Sequence, residues 1–129
     1  MVLAFYGVAR TEAELRTLLK TRPGGTSPVQ AMWRLPDIGF DAYVQTGSRA
    51  MLYENLSAGR PCIVHVWTRY LPHWSDEVIH AVVVADMTAS NILIHDPVRS
   101  SGPTEVPTED LLRAWAATDY LVLVIERKE

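Results

Sequence analysis

The sequence predicts an α+β fold in which N-terminal helices pack on an antiparallel sheet. Before Pro61 the apolar residues recur at helical spacing, whereas after Pro61 they form runs rich in Val and Ile that are typical of strands. Helical segments followed by strands, without alternating βα units, are typical of α+β proteins. We therefore expect one domain over residues 1–129, with a mainly helical part over 1–58 and an antiparallel sheet part over 59–129.

Capping signals mark the helices of the first part. Thr11 and Glu14 form a capping box, Pro28 follows the capping residue Ser27, and Ser48 caps a later helix. The predicted helices cover residues 1–7, 11–20, 28–35 and 48–58.

Strand-like segments fill the second part, interrupted by one more helix. Thr108 is the expected capping residue of that helix, because acidic residues follow it and apolar residues continue at helical spacing to Trp115. The predicted strands cover residues 41–44, 62–68, 78–85, 91–95 and 120–126.

Composition excludes several classes of function. The 129 residues are 48% apolar and 21% charged, as in ordinary globular domains. A net charge of −3 without any basic run argues against a nucleic-acid partner. No apolar stretch approaches the roughly 18–20 residues of a membrane span, so none is expected. Cys62 is the only cysteine and cannot form an internal disulfide, which favours a reducing, cytoplasmic location.

A predicted hairpin brings together one histidine and one aspartate. If Ala85 lies opposite Asn91, the register places His80 opposite Asp96 on the same face of the sheet. A carboxylate at that distance fixes the tautomer of an imidazole and stabilises its protonated form. His80 and Asp96 are therefore the candidate catalytic residues. The alternative is a core histidine beside an ordinary Asp-Pro turn.

Cys62 is a weaker candidate. It lies in an apolar strand, where a thiol behaves as a small buried hydrophobe with a raised pKa. A reactive cysteine needs a helix N-terminus or a cationic neighbour. We therefore expect Cys62 to be buried and unreactive.

The other histidines give no metal-ligand pattern. His65, His73 and His95 are dispersed, and His95 lies on the opposite face from His80 in the proposed register. We therefore expect neither a metal nor a cofactor. The segment over residues 67–74 is rich in aromatic rings, which form either the rim of a substrate cleft or a cover for the sheet edge.

Several ordered blocks of this sequence resemble the papain-like cysteine peptidases that cleave double-glycine leaders from bacteriocin precursors. Residues 80–84 (HAVVV) and 94–97 (IHDP) are similar to the strands that carry the catalytic histidine and aspartate of that family. Residues 59–64 (GRPCIV) are similar to its segment leading into the sheet, and 1–7 (MVLAFYG) to the later turns of its nucleophile helix. The resemblance covers the full length. It implies a papain-like fold, His80 and Asp96 as catalytic residues, and a peptide or protein substrate such as a double-glycine leader.

The chain departs from this family at the nucleophile. The family's catalytic cysteine opens its first helix, and an oxyanion-stabilising glutamine precedes it; by this alignment both would lie upstream of Met1. Cys62 has a sheet position instead. We therefore expect that the chain as written hydrolyses no peptide, either as a fragment of an active peptidase or as a pseudo-peptidase that binds peptides. A third possibility, a small α+β domain without a site, requires His80 and Asp96 to be far apart.

Overall fold

The computed structural model describes residues 12–19, 28–96 and 102–128. The predicted helix over 1–7 and the capping residues Thr11 and Ser27 lie outside these residues. In chain order the elements are α1 (Glu12–Leu19), α2 (Pro28–Arg34), β1 (Phe40–Thr46), α3 (Arg49–Ser57), β2 (Cys62–Trp67), β3 (Ile79–Met87), β4 (Asn91–His95), β5 (Thr104–Pro107), α4 (Thr108–Ala116) and β6 (Leu121–Arg127). Short 3-10 helices cover Leu35–Ile38 and Thr68–Tyr70.

Six strands form a sheet in the order β1-β6-β2-β3-β4-β5, and the α+β prediction is confirmed. The pairs β2/β3, β3/β4 and β4/β5 are antiparallel. Among the described helices, none is long and apolar enough to cross a membrane.

Contacts divide the chain into two compact units, Met1–Val44 with Leu123–Glu129, and Gln45–Val122. The division falls inside β1 and β6, and the prediction of a single domain stays a prediction. In the first unit, Gly39 turns the chain into β1 with a φ of 89°, a conformation that glycine adopts without steric cost. Its carbonyl accepts the backbone N–H of Lys128 at 2.9 Å.

The second unit is built on one buried face of its strands. Every second side chain along these strands points to this face, and many of them are valine or isoleucine. Its fully buried members are Val64, Val66, Val82, Val84, Ile92 and Ile94. Helix α4 contacts β2, β4 and β5 and contributes Leu111, Ala114 and Trp115 to the core.

The register of the β3/β4 hairpin differs from the prediction. Val83 lies opposite His95, and Val84 lies opposite Ile94. The ladder shifts between Val84 and Asp86, because one extra residue of β3 bulges out and the strand continues to Met87. The prediction that His80 lies directly opposite Asp96 was therefore wrong. His80 precedes by two residues the position on β3 that lies opposite Asp96.

Two local predictions about the helices have different outcomes. Ser48 caps α3 as predicted, because its Oγ accepts the backbone N–H of Met51 at 3.1 Å. Thr108 does not cap α4. It is the first residue of that helix, and its own backbone N–H donates to the carbonyl of Ser90 at 2.9 Å. The preceding Pro107 occupies the cap position and closes β5, a short strand that the sequence did not predict.

Candidate active site

Asp96 is the centre of a buried polar cluster in the second unit. It follows β4 on the same face as Ile92 and Ile94, and it is only 1% exposed. Its Oδ1 lies 2.7 Å from Nε2 of His80, near the start of β3. The predicted hydrogen bond between the two side chains is confirmed, although the two residues are diagonal rather than opposite. The possibility that they lie far apart is thereby excluded.

Two further donors reach the other oxygen of Asp96. Nε2 of His73 lies 2.9 Å from Oδ2, and Nε1 of Trp74 lies 2.8 Å from the same atom. The ring of Trp74 also packs on the ring of His80, with centroids 4.8 Å apart. Burying a charged carboxylate costs several kcal/mol unless hydrogen bonds compensate it. The three N–H groups supply that compensation.

A single threonine closes the loop that carries His73 and Trp74. Thr68 is fully buried, and its backbone N–H donates to the carbonyl of Val78 at 2.9 Å. Its hydroxyl accepts the N–H of Val78 at 2.8 Å and donates to the carbonyl of Asp76 at 2.5 Å. Thr68 thus joins both ends of the loop.

The remaining histidines do not join the cluster. His95 lies opposite Val83, on the face away from Asp96. His65 has a buried Nδ1 without a hydrogen-bond partner in the described part of the chain. Burial, and secondly the charge of His80, lower the pKa of His65. Within residues 12–19, 28–96 and 102–128, no group of His, Cys, Asp and Glu side chains is placed to hold a metal ion.

Cys62 is buried, as predicted. Its exposed fraction is 0%, and its Sγ lies 3.7 Å from the carbonyl oxygen of Arg60. Burial raises the pKa of the Cys62 thiol to about 11, although the charge of Arg60 opposes that shift. On β2, Cys62 is four residues from Val66, the residue that lies opposite His80. At the rise of a β-strand this separation is about 13 Å, far beyond proton-transfer distance.

The cluster can orient an imidazole for acid–base chemistry. A carboxylate accepts hydrogen bonds, so the proton on Nε2 of His80 points to Asp96 and Nδ1 is left as the basic nitrogen. Sequence reasoning found this pair but missed His73 and Trp74 as partners of Asp96. The only sequence signal for them was the aromatic character of their loop.

The chain is similar to known peptidases. A search of curated proteins found no significant match. A solved structure described as a C39-like peptidase from Bacillus anthracis is 19% identical, with a TM-score of 0.73 over 99% of this chain and 86% of that one. The peptidase domain of Streptococcus ComA, a bifunctional ABC transporter involved in a quorum-sensing pathway, is 23% identical, with a TM-score of 0.76 over 99% of this chain and 85% of that one.

These two structures confirm the papain-like α+β fold. The family model described as the Peptidase C39 family matches residues 1–129. The chain therefore belongs to the Peptidase C39 family.

Proposed function

We propose that His80 is the general base of a cysteine-peptidase site that acts on peptides, and that Asp96 is the carboxylate that orients it. The observation that carries this proposal is the 2.7 Å hydrogen bond between Nε2 of His80 and the buried Oδ1 of Asp96. Membership of the Peptidase C39 family supports the reaction class.

In such a site the histidine moves one proton twice. Nδ1 of His80 takes the proton from the nucleophilic thiol, and the thiolate attacks the scissile carbonyl. The imidazolium then gives the proton to the leaving amine. Asp96 stays ionised throughout and stabilises the imidazolium that forms between the two steps.

We further propose that the 129-residue chain alone hydrolyses no peptide. Its only thiol, Cys62, lies about 13 Å along β2 from the position opposite His80 and is protonated at neutral pH. Without a thiolate, acyl transfer cannot be divided into two easier steps.

The substrate class we propose is a peptide with a double-glycine leader, which follows from the resemblance of the two site strands to the leader peptidases. Val78 and Ile79, which precede His80, support a peptide ligand because their apolar side chains are 43% and 54% exposed. The same pair supports a second function, a module that binds peptides without cleaving them. A cytoplasmic location, expected from the single cysteine, stays a prediction.

The test is a cleavage assay on double-glycine leader peptides and on a broad peptide library. We expect no turnover by the 129-residue chain. The assay is repeated on a chain preceded by any in-frame upstream residues that encode a glutamine and a Cys-Gly pair. We expect that chain to cleave, and we expect His80→Ala to abolish cleavage. The matched control is His95→Ala, because His95 lies on the opposite face of the same strand pair.

Three outcomes are informative. Cleavage that survives His80→Ala in the extended chain would remove His80 as the base. Turnover by the 129-residue chain would contradict the proposal that it is inactive. Peptide binding without turnover in both chains, lost on replacing Ile79 by Asp, would favour the binding module.

A further inference from the structure

Two side chains from the loop between β2 and β3 converge on the second oxygen of Asp96. Nε2 of His73 and Nε1 of Trp74 lie 2.9 Å and 2.8 Å from Oδ2, whereas His80 occupies Oδ1. We propose that His73 and Trp74 are positioning residues that lock the carboxylate, so that its Oδ1 holds His80 in the Nε2–H tautomer. This inference rests on the proposed role of His80 as a base.

The chemistry of the indole defines which way the hydrogen bonds run. Trp74 has only a donor, so Oδ2 of Asp96 must be an acceptor. The terminal torsion of an aspartate is broad, and a carboxylate held through one oxygen alone can rotate about it. Donors on Oδ2 remove that freedom, and they leave Oδ1 directed at His80.

His73 is suited to donate and not to exchange protons. Its side chain is 9% exposed, against 18% for His80. Its Nδ1 is buried and has no hydrogen-bond partner among the described residues. A proton on that nitrogen would be a buried donor without an acceptor, which is costly. The proton of a neutral His73 ring therefore belongs on Nε2, where Asp96 accepts it.

The loop holds both donors in place before any ligand arrives. Thr68 joins the two ends of the loop through its backbone N–H and its hydroxyl. Leu71 anchors its middle, because it is 2% exposed and its carbonyl accepts the backbone N–H of Trp74 at 3.2 Å. The Trp74 ring then packs against His80 as well as donating to Asp96.

Two-bond proton–nitrogen NMR spectra of the imidazoles test the proposal, because they distinguish the Nε2–H tautomer from the Nδ1–H tautomer. In the whole 129-residue chain at mildly alkaline pH, we expect His73 and His80 both to show the Nε2–H pattern. His73→Leu combined with Trp74→Phe removes both donors on Oδ2, and we expect loss of that pattern at His80. His73→Gln keeps an amide N–H and should retain it. His95→Leu, on the opposite face, is the matched control and should also retain it.

The proposal is overturned if wild-type His73 shows the Nδ1–H pattern, or if the folded double variant leaves the spectrum of His80 unchanged. Should the double variant fail to fold, the pattern of wild-type His73 decides the proposal. The wild-type measurement needs no variant. No peptide is cleaved in this experiment, so its failure leaves the peptidase proposal standing, and failure of the cleavage assay leaves the NMR result standing.

Discussion

Alkylation of Cys62 provides a quantitative test of whether the only thiol of the chain can act as a nucleophile. Its pKa is raised from 9.0 to about 11 by burial. Two pKa units correspond to an approximately 100-fold smaller thiolate fraction at any pH below 9. At pH 7 only about one molecule in 10⁴ would carry the thiolate. Because the thiolate is the reacting species, its smaller fraction lowers the alkylation rate, although the greater nucleophilicity of a thiolate of higher pKa partly offsets that decrease.

Burial lowers the rate further. Cys62 is 0% exposed, so an alkylating reagent reaches Sγ only when β2 opens locally. We expect iodoacetamide to modify the folded chain more than 100-fold slower than the same chain in denaturant at pH 7. The rate in the folded state should rise about tenfold per pH unit up to the pKa. The alkylation reaction is stopped at successive times, and the fraction of modified protein is measured by intact-protein mass spectrometry.

One result would refute this reasoning. If the folded chain is alkylated at pH 7 within tenfold of the denatured chain, Cys62 has a thiolate and an access route that its position on β2 does not provide. A mechanism based on Cys62 would then have to be reconsidered.

Three further predictions concern stability, each measured as a urea-unfolding midpoint. Thr68→Val keeps the shape of the side chain but removes the hydroxyl that bonds the backbone of Asp76 and Val78 at the far end of the loop. It should cost about 1–3 kcal/mol, whereas Thr68→Ser should cost much less. The folded pKa of His65 lies below its ordinary value of 6.5, so the unfolded chain binds the proton first. Stability should therefore fall as the pH drops below about 6.5, and a pH dependence unchanged in His65→Gln would contradict this. Gly47→Ala places a Cβ 2.8 Å from Cζ2 of Trp115, whose ring is held in place by the hydrogen bond from its N–H to a backbone carbonyl. The substitution should therefore cost about 1–3 kcal/mol of stability, and an unchanged unfolding midpoint would refute this prediction.

Most elements of the fold were predictable because their signals are local. The change of hydrophobic period at Pro61 separates helical from strand segments, and the Ser48 cap was recognised from one side chain. Strand β5 was not predicted, because four residues ending in Pro107 are too short to show a period. The Thr108 cap was wrong because the helix begins at Thr108 itself, and its buried Oγ1 has no hydrogen-bond partner among the described residues.

The site was predictable in part, because only some of its determinants lie on strands. His80 and Asp96 share a face by strand alternation, and that relation survives a register shift of two residues. The bulge after Val84 that causes the shift has no glycine or other local signal. His73 depends on the path of a loop, and no periodicity encodes which atom a loop side chain reaches.

The hydrogen bonds that offset the cost of burying the Asp96 carboxylate also fix the orientation of that carboxylate. A carboxylate that is 1% exposed must replace its lost water with donors, and here the donors come from β3 and from the loop that follows β2. The same hydrogen bonds therefore compensate the burial of the Asp96 carboxylate and fix the orientation of His80. The described part of the chain therefore presents an oriented imidazole at the start of β3. Cys62, about 13 Å along β2 from the position opposite His80, is too far from this imidazole to exchange a proton with it.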